Sequence, residues 1–442
     1  MDAALLARVQ FAFTIGFHYI FPPLTIGMAW VIFWMMNRWR RTGDPAWGET
    51  ARFWVSLFAI TFAVGVATGI TMEFQFGTNW AQYSRFVGDI FGAPLAAEGI
   101  FAFFMESIFV AALIYGWRRL SVRQLWFSSL FVAIGATMSA FWILVANSWM
   151  QTPAGFHIVG GRAELVDFWA AVFNPSMLPR LLHTLAGAVT TGAFFILGVS
   201  SWFLLKGRHV EFAKRSLKLA LLVAAISSFA QLGLGHYHAV QVAHTQPEKL
   251  AAIEGMFETQ SRAPVLLFGI PDEEAGEMRH AVRIPGLLSL LAYGKQGAVV
   301  MGLRDVPREE WPPLALTFYP FHLMVALGMF FIALGALGLF LMWRGSLFEN
   351  RFYLKLAVLS IPLPFVANEL GWITAEVGRQ PWIVYRVMKT ADAISPSVSA
   401  GEVLASLAIF GVVYALLFAA WIWLLVRKVK QGPEGQALNS NV

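Results

Sequence analysis

Nine stretches of this chain are long and apolar enough to cross a lipid bilayer, and that restricts the fold more than any other feature. A helix needs roughly 20 apolar residues to span the hydrocarbon. Such runs lie at residues 9–36, 52–77, 94–116, 125–149, 178–205, 216–235, 316–343, 352–375 and 402–427. Lipid offers the backbone no hydrogen-bond partner, so each run must satisfy its own amides as a helix. The chain therefore reads as an all-α integral membrane protein with nine transmembrane helices. Its composition agrees, with 58% hydrophobic and only 13% charged residues among 442, which excludes an ordinary soluble domain. The opening MDAALLARVQ has neither the positive leader nor the small-residue cleavage site of a secretory signal, so the first run is expected to stay as an anchor.

Basic residues set the orientation, because they are retained on the cytoplasmic side. Arg38, Arg40, Arg41 and Arg52 follow the first run, and Arg118, Arg119 and Arg123 the third. Lys206, Arg208, Lys214, Arg215 and Lys218 follow the fifth, Arg344, Arg351 and Lys355 the seventh, and Arg427, Lys428 and Lys430 the ninth. The alternation places the N-terminus outside and the C-terminus in the cytoplasm. It also accounts for the net charge of +6, which gives no reason to expect nucleic acid as a partner.

Three regions follow: helices one to six over residues 1–235, a long outer loop over 236–315, and helices seven to nine with a short cytoplasmic tail over 316–442. Within the loop, QPEKLAAIEGMFETQ has the pattern of an amphipathic helix and FGIPDEEAGEMRH carries turn residues. His236, His238 and His244 open this loop in GHYHAVQVAH, at a spacing that fits no single helical face. A loop this long is functional or disordered, and its mixture of apolar and charged residues favours a folded cap. No internal repeat supports an inverted-repeat transporter.

Ionisable residues inside membrane helices need a partner or a purpose. His18, Glu73, Glu98, Glu106, His183, His322, Glu369 and Glu376 fall within or at the edge of the runs, nearly all in the outer halves. A transporter needs a polar path through the full thickness, whereas a redox centre near one face needs only local ligands. With no cysteine in the chain, iron–sulfur clusters, thiolate ligation and covalent haem attachment are excluded. Any metal must use His, Met or carboxylate. Residue types alone leave haem and simple packing both open.

The segments FHYIFPPLTIGMA, MEFQFGTNW, VGDIFGAPLAAEGIFAFFMES, LVANSWMQTP, LLHTLAGAVTTGAFFILG, EKLAAIE and GWITAEVGRQPW together resemble subunit I of the cytochrome bd quinol oxidases. The resemblance runs through all nine helices in order. It implies a respiratory enzyme that oxidises quinol at the outer face of a bacterial plasma membrane and reduces O2 to water, with its haems near that face. It implies that His183 and Met324 ligate a low-spin haem b, and that His18 and Glu376 ligate the two haems of the oxygen-reducing pair, leaving open which of them holds the oxygen-binding one. Glu98 stands for the carboxylate beside that haem and Glu106 for a proton carrier leading to it. Lys249 and Glu254 match positions tied to quinol oxidation, and Arg8, Trp372 and Arg379 positions that contact cofactor. The cofactors implied are two haem b and one haem d, with haem b as the alternative in the third place. The partners implied are a subunit II and a small single-helix accessory subunit.

Glu369, Trp372, Glu376 and Arg379 are spaced by three, four and three residues, which places them on one face if the helix runs slightly past its apolar core. There Arg379 would pair with a haem propionate and Trp372 pack on the porphyrin. Two departures stand out. Many relatives have Arg where this chain has His322, and two residues are about 200° apart on a helix, so His322 and Met324 cannot both face one haem. The outer loop is also the short kind, as in the cyanide-insensitive oxidases. A haem quinol dehydrogenase without oxygen chemistry and a non-redox transporter are the competing classes. The intact set of His18, Glu98 and Glu376 weighs against the first, and the absence of ionisable residues from the inner helix halves weighs against the second.

Overall fold

The computed structural model describes residues 3–433, and among them nine helical spans are long and apolar enough to cross a membrane. They are Ala3–Thr42, Pro45–Thr78, Ala81–Arg118, Val122–Gln151, Met177–Leu205, Val210–Thr245, Leu314–Trp343, Arg351–Val377 and Ala400–Gln431. Each outruns the apolar stretch that announces it, because helices continue into the polar phase until a capping residue takes over. Asp44 caps the second span through the Ala46 amide, and Ser121 and Ser399 form capping boxes with Gln124 and Glu402.

Three spans are broken, each for a local reason. The first divides at Ile20, where Pro22 and Pro23 begin a new helix, Phe21–Thr42. The eighth divides between Leu359 and Leu363, again at prolines. In the third, a wide π turn at Glu98–Phe103 follows Pro94.

The centre of the bundle is the crossing of spans one and five. A Cβ on Gly27 would sit 2.2 Å from the Ala188 carbonyl, and one on Gly192 would sit 2.5 Å from the Gly27 backbone. Only glycine at both positions lets these backbones touch, which is how membrane helices pack without a hydrophobic drive between them.

The connections segregate to two ends. Residues 43–44, 116–121, 206–209 and 344–350 share the end rich in Lys and Arg, where the Arg215 guanidinium donates to the Ala46 carbonyl at 3.1 Å. At the other end the Tyr385 amide donates to the Met150 carbonyl at 2.9 Å and the Ser395 amide to the Asn79 carbonyl at 2.9 Å.

The outer loop departs from expectation in two ways. The sixth span continues past His236 to Thr245, so His236, His238 and His244 lie on a membrane helix and do not open a loop. Contacts distant in sequence hold this extension: Gln241 donates to Ser176 Oγ at 3.0 Å, and His244 stands edge-on to Tyr293. The anticipated amphipathic helix is only Pro247–Glu254, stopped by Gly255 at φ 63°, and Glu248 through Glu254 are all buried. It is enclosed on every side. An antiparallel hairpin, Val265–Asp272 with Glu277–Ile284, completes the cap, and a second hairpin pairs Phe156–Val159 with Arg162–Leu165.

Candidate functional site

One cavity of about 1500 Å³ opens between the spans at the end opposite the basic one, and His18, Glu98, Glu106, His183, Lys249, Glu254, Met324, Trp372, Glu376 and Arg379 all line it. A pocket for one small molecule occupies roughly 300–1,000 Å³. This space is larger. Arg8 is not among its walls; it is exposed and donates to Gln380 Oε1 at 3.3 Å. Its partner Gln380 adjoins the cavity-lining Arg379.

Three of the donor side chains face a glycine. A Cβ on Gly69 would stand 3.2 Å from His18 Cε1, one on Gly235 3.3 Å from His183 Cε1, and one on Gly371 2.8 Å from Met324 Sδ. The neighbouring helices have given up side-chain volume where these donors lie. His18 is also oriented. Its Nδ1 lies 2.9 Å from Thr68 Oγ1, whose own proton goes to the Val64 and Gly65 carbonyls at 3.0 Å. The hydroxyl must therefore accept from His18 Nδ1–H, which leaves the Nε2 lone pair as the free donor. His322 faces away from the cavity, its Nδ1 2.9 Å from the Phe318 carbonyl and its Nε2 2.8 Å from the Leu266 carbonyl. Met324, not His322, faces the space.

Glu376 is held by three donors. Its Oε1 accepts from Asn147 Nδ2 at 2.9 Å and Gln151 Nε2 at 3.3 Å, and its Oε2 accepts from Arg379 Nη2 at 2.6 Å. Two lone pairs on each oxygen leave one on Oε2 unused. Gln151, fully buried, uses its whole amide: Oε1 accepts from Lys249 Nζ and from Gln246 Nε2 at 3.1 Å, while Nε2 also donates to the Ala375 carbonyl at 3.3 Å. It thus ties the short helix of Lys249 to the carboxylate of Glu376. Lys249 donates besides to Gln246 Oε1 at 2.8 Å.

Burial shifts two ionisable groups of the short helix toward their neutral forms. It holds the Lys249 ammonium well below the ordinary lysine range, with the Arg180 charge adding to the effect. It pushes the Glu254 carboxyl up to about 8, and Glu254 Oε2 has no hydrogen-bond partner. Glu248, on the other face, is fastened by Tyr385 Oη at 2.6 Å and by Arg386.

The π turn sets the relation between Glu98 and Glu106. Eight ordinary helical steps would place them about 80° apart; a wide turn that absorbs one residue leaves about seven, a phase within about 20°. Both line the cavity. Glu98 accepts from Ser139 Oγ at 2.7 Å, and Glu106 packs on Gly135, where a Cβ would stand 3.0 Å from its own.

Sequence reasoning missed Arg180, Gln151 and Asn147, and placed His238, which also lines the cavity, in the outer loop. Arg180 carried a signal, since it precedes His183 by three residues and so shares its helical face. Arg180, Lys249 and Arg379 are 6%, 4% and 5% exposed, and Glu376 is the carboxylate whose charge acts on all three. Arg180 Nε and Arg379 Nε and Nη1 are buried without partners. Buried guanidinium N–H groups are costly unless an anion accepts from them, so this cavity is built for anionic groups. Among the described residues no three His, Cys, Asp or Glu converge as a metal site. A metal bound by such scattered single donors must bring its own equatorial ligands. A porphyrin does so, and its propionates are the anions; the residues present fit haem.

Fold and site together define a polytopic membrane protein with a cation-rich cavity for metal-bearing, anionic cofactors. The comparisons with known proteins narrow that class. The chain belongs to the cytochrome bd terminal oxidase subunit I family, whose description matches residues 6–433. It is 42% identical to cytochrome bd ubiquinol oxidase subunit 1 of Bacillus subtilis (strain 168), over 98% of this chain and 95% of that protein. It is 35% identical to cytochrome bd-II ubiquinol oxidase subunit 1 of Escherichia coli (strain K12), over 98% and 97% of the two chains. Among solved structures it is similar to the bd oxidase from Geobacillus thermodenitrificans, with a TM-score of 0.91, 35% identity, and 98% and 99% of the chains covered.

Proposed function

We propose that this chain is the catalytic, haem-bearing subunit of a respiratory terminal oxidase that takes electrons from quinol and reduces O2 to water, set in a bacterial plasma membrane with its N-terminus outside and C-terminus in the cytoplasm. One observation carries the reading: a single cavity joins a buried acid–base helix to scattered metal-type donors and to guanidinium N–H groups without hydrogen-bond partners. His183 and Met324 would hold a low-spin haem b, and His18, through Nε2, and Glu376, through Oε2, the two other haems, the third being haem d or haem b. When bound, these haems supply one-electron transfer and the oxygen-binding iron. Arg180 and Arg379 would receive propionates, and Trp372 would pack on a ring face.

The protein's own groups manage protons. Glu254, with a pKa brought near neutrality, is suited to accept a proton from a quinol hydroxyl. Lys249, fixed by Gln151 and Gln246, would orient the headgroup five residues away on the same helix. Two quinols give four electrons and release four protons outside; O2 takes four electrons and four protons to form two waters. Protons for that reaction would pass along the aligned Glu106 and Glu98. The third span exposes Ile100, Phe101, Phe104 and Ile108 at 59%, 66%, 62% and 64%, an apolar face beside Glu106 that supports packing by subunit II there. A small single-helix accessory subunit completes the proposed assembly.

The test uses Glu254→Gln in the purified complex. Quinol-driven O2 uptake should fall at least tenfold while dithionite still reduces every haem. Unchanged quinol turnover in both Glu254→Gln and Lys249→Ala would place quinol oxidation elsewhere.

A further inference from the structure

His183 has two ring nitrogens and can give only one to a metal. The other, by the chemistry of histidine ligands, needs a hydrogen-bond acceptor, and that partner sets how strongly the ring donates to the metal. In this structure His183 Nδ1 is buried and has no partner. Its Cε1–Nδ1 edge faces the sixth span: a Cβ on Gly235 would lie 3.3 Å from Cε1 and 3.6 Å from Nδ1. Three residues on, hence on the same face of that span, stands His238. Its ring centroid is 5.8 Å from that of His183, with the planes tilted by 57°, and His238 Nε2 is likewise buried without a partner.

Two neighbouring imidazole rings thus each bury a nitrogen that has no partner. Two imidazoles joined by an N–H···N bond of ordinary length have centroids on the order of 5 Å apart, so a rotation of either ring that closes less than about 1 Å forms the bond. We infer that His238 accepts a hydrogen bond from His183 Nδ1–H and thereby tunes the metal that His183 holds. This rests on the reading of His183 as a haem ligand. His238 is a positioning residue; it touches the ligand and not the iron. With Nε2 accepting, the neutral His238 ring carries its own proton on Nδ1. Glycine at 235 is part of the arrangement, because a side chain there would come between the sixth span and the His183 ring.

The acceptor makes the imidazole a stronger electron donor, which favours the oxidised iron and lowers its midpoint potential. The purified complex carrying His238→Phe, which keeps the ring volume without nitrogen, should therefore keep its low-spin haem but show a raised midpoint potential in a redox titration followed at the low-spin band. The electron-sharing equilibrium should shift about tenfold, equivalent to about 59 mV for one electron. His238→Leu should shift in the same direction. His238→Gln, whose amide oxygen can accept from Nδ1–H, should return most of the way to wild type. A wild-type potential in both the Phe and Leu variants, or a Gln variant shifted as far as they are, overturns the inference. His183→Leu separates this from the reading beneath it: retention of the low-spin haem in that variant overturns the assignment of His183 itself, whereas its loss together with unshifted His238 variants overturns only the role of His238.

Discussion

Replacing Gly371 by Ala should disable the thioether of Met324 while leaving the fold intact. The added Cβ would stand 2.8 Å from Met324 Sδ, where ordinary contact begins at 3.4 Å, so the sulfur would have to retreat by about 0.6 Å to regain ordinary contact. The fold absorbs this easily. Gly371 lies inside the helix Leu363–Val377, where Ala is favoured over Gly by roughly 1 kcal/mol. Turning a flexible thioether off its preferred rotamer costs about 0.5–1.5 kcal/mol. The two terms nearly cancel. Metal–ligand distances, by contrast, are held to within about 0.2 Å of their ordinary values. The purified Gly371→Ala complex should accumulate normally yet lose or strongly alter its low-spin signal in reduced-minus-oxidised spectra. Gly411→Ala, in the ninth span with nothing within 4 Å of its added methyl, serves as the control and should look like wild type. A wild-type low-spin spectrum in Gly371→Ala would show that Met324 Sδ does not bind iron from where it lies.

Met324→Leu should remove the low-spin haem b signal and His322→Leu should leave most of it, since His322 is occupied by the Phe318 and Leu266 carbonyls; the opposite pattern reverses the assignment. The kcat/KM for quinol should rise with pH through about 8 as Glu254 ionises, and this limb should vanish in Glu254→Gln. Because folding raises this carboxyl from 4.5 to about 8, its contribution to stability is complete below 4.5 and is lost as pH rises through about 8, which thermal melts across that window would register. Gln151→Leu should lower quinol kcat/KM by tenfold or more, since a hydrogen bond to a charged group contributes about 1.5–3 kcal/mol and Lys249 and Glu376 each lose one; steady-state kinetics at wild-type values would remove Gln151 from the coupling of the two.

The nine spans were legible because lipid imposes one rule on every residue it surrounds. Where that rule stops, prediction weakened. The extension from His236 to Thr245 mixes three histidines and Gln241 with small apolar residues, and contacts with Ser176 and Tyr293, residues far away in sequence, help hold it. The π turn at Glu98 has no spacing that announces it, yet it converts an ideal-helix separation of about 80° between two carboxylates into near alignment. Helix geometry put Met324 and His322 on different faces, likeness to the family chose Met324 between them, and the structure turns Met324 toward the cavity and His322 toward the Phe318 and Leu266 carbonyls. Gln151 gave no signal and His238 was read only as one of three histidines opening a loop, because their meaning lies in which atoms another helix presents to them. Arg180 could have been read from its place three residues before His183, whereas Arg8 was assigned to the cofactor by likeness alone and is an exposed side chain bonded to Gln380.

The most direct test of the haem assignments is a count. Pyridine haemochrome analysis of the purified complex should give three haems per copy of this chain. His18→Leu and Glu376→Gln should each lower that count by one while leaving the low-spin signal of His183 and Met324 in place. A wild-type complex with fewer than three haems, or either variant retaining the full count, would contradict the account.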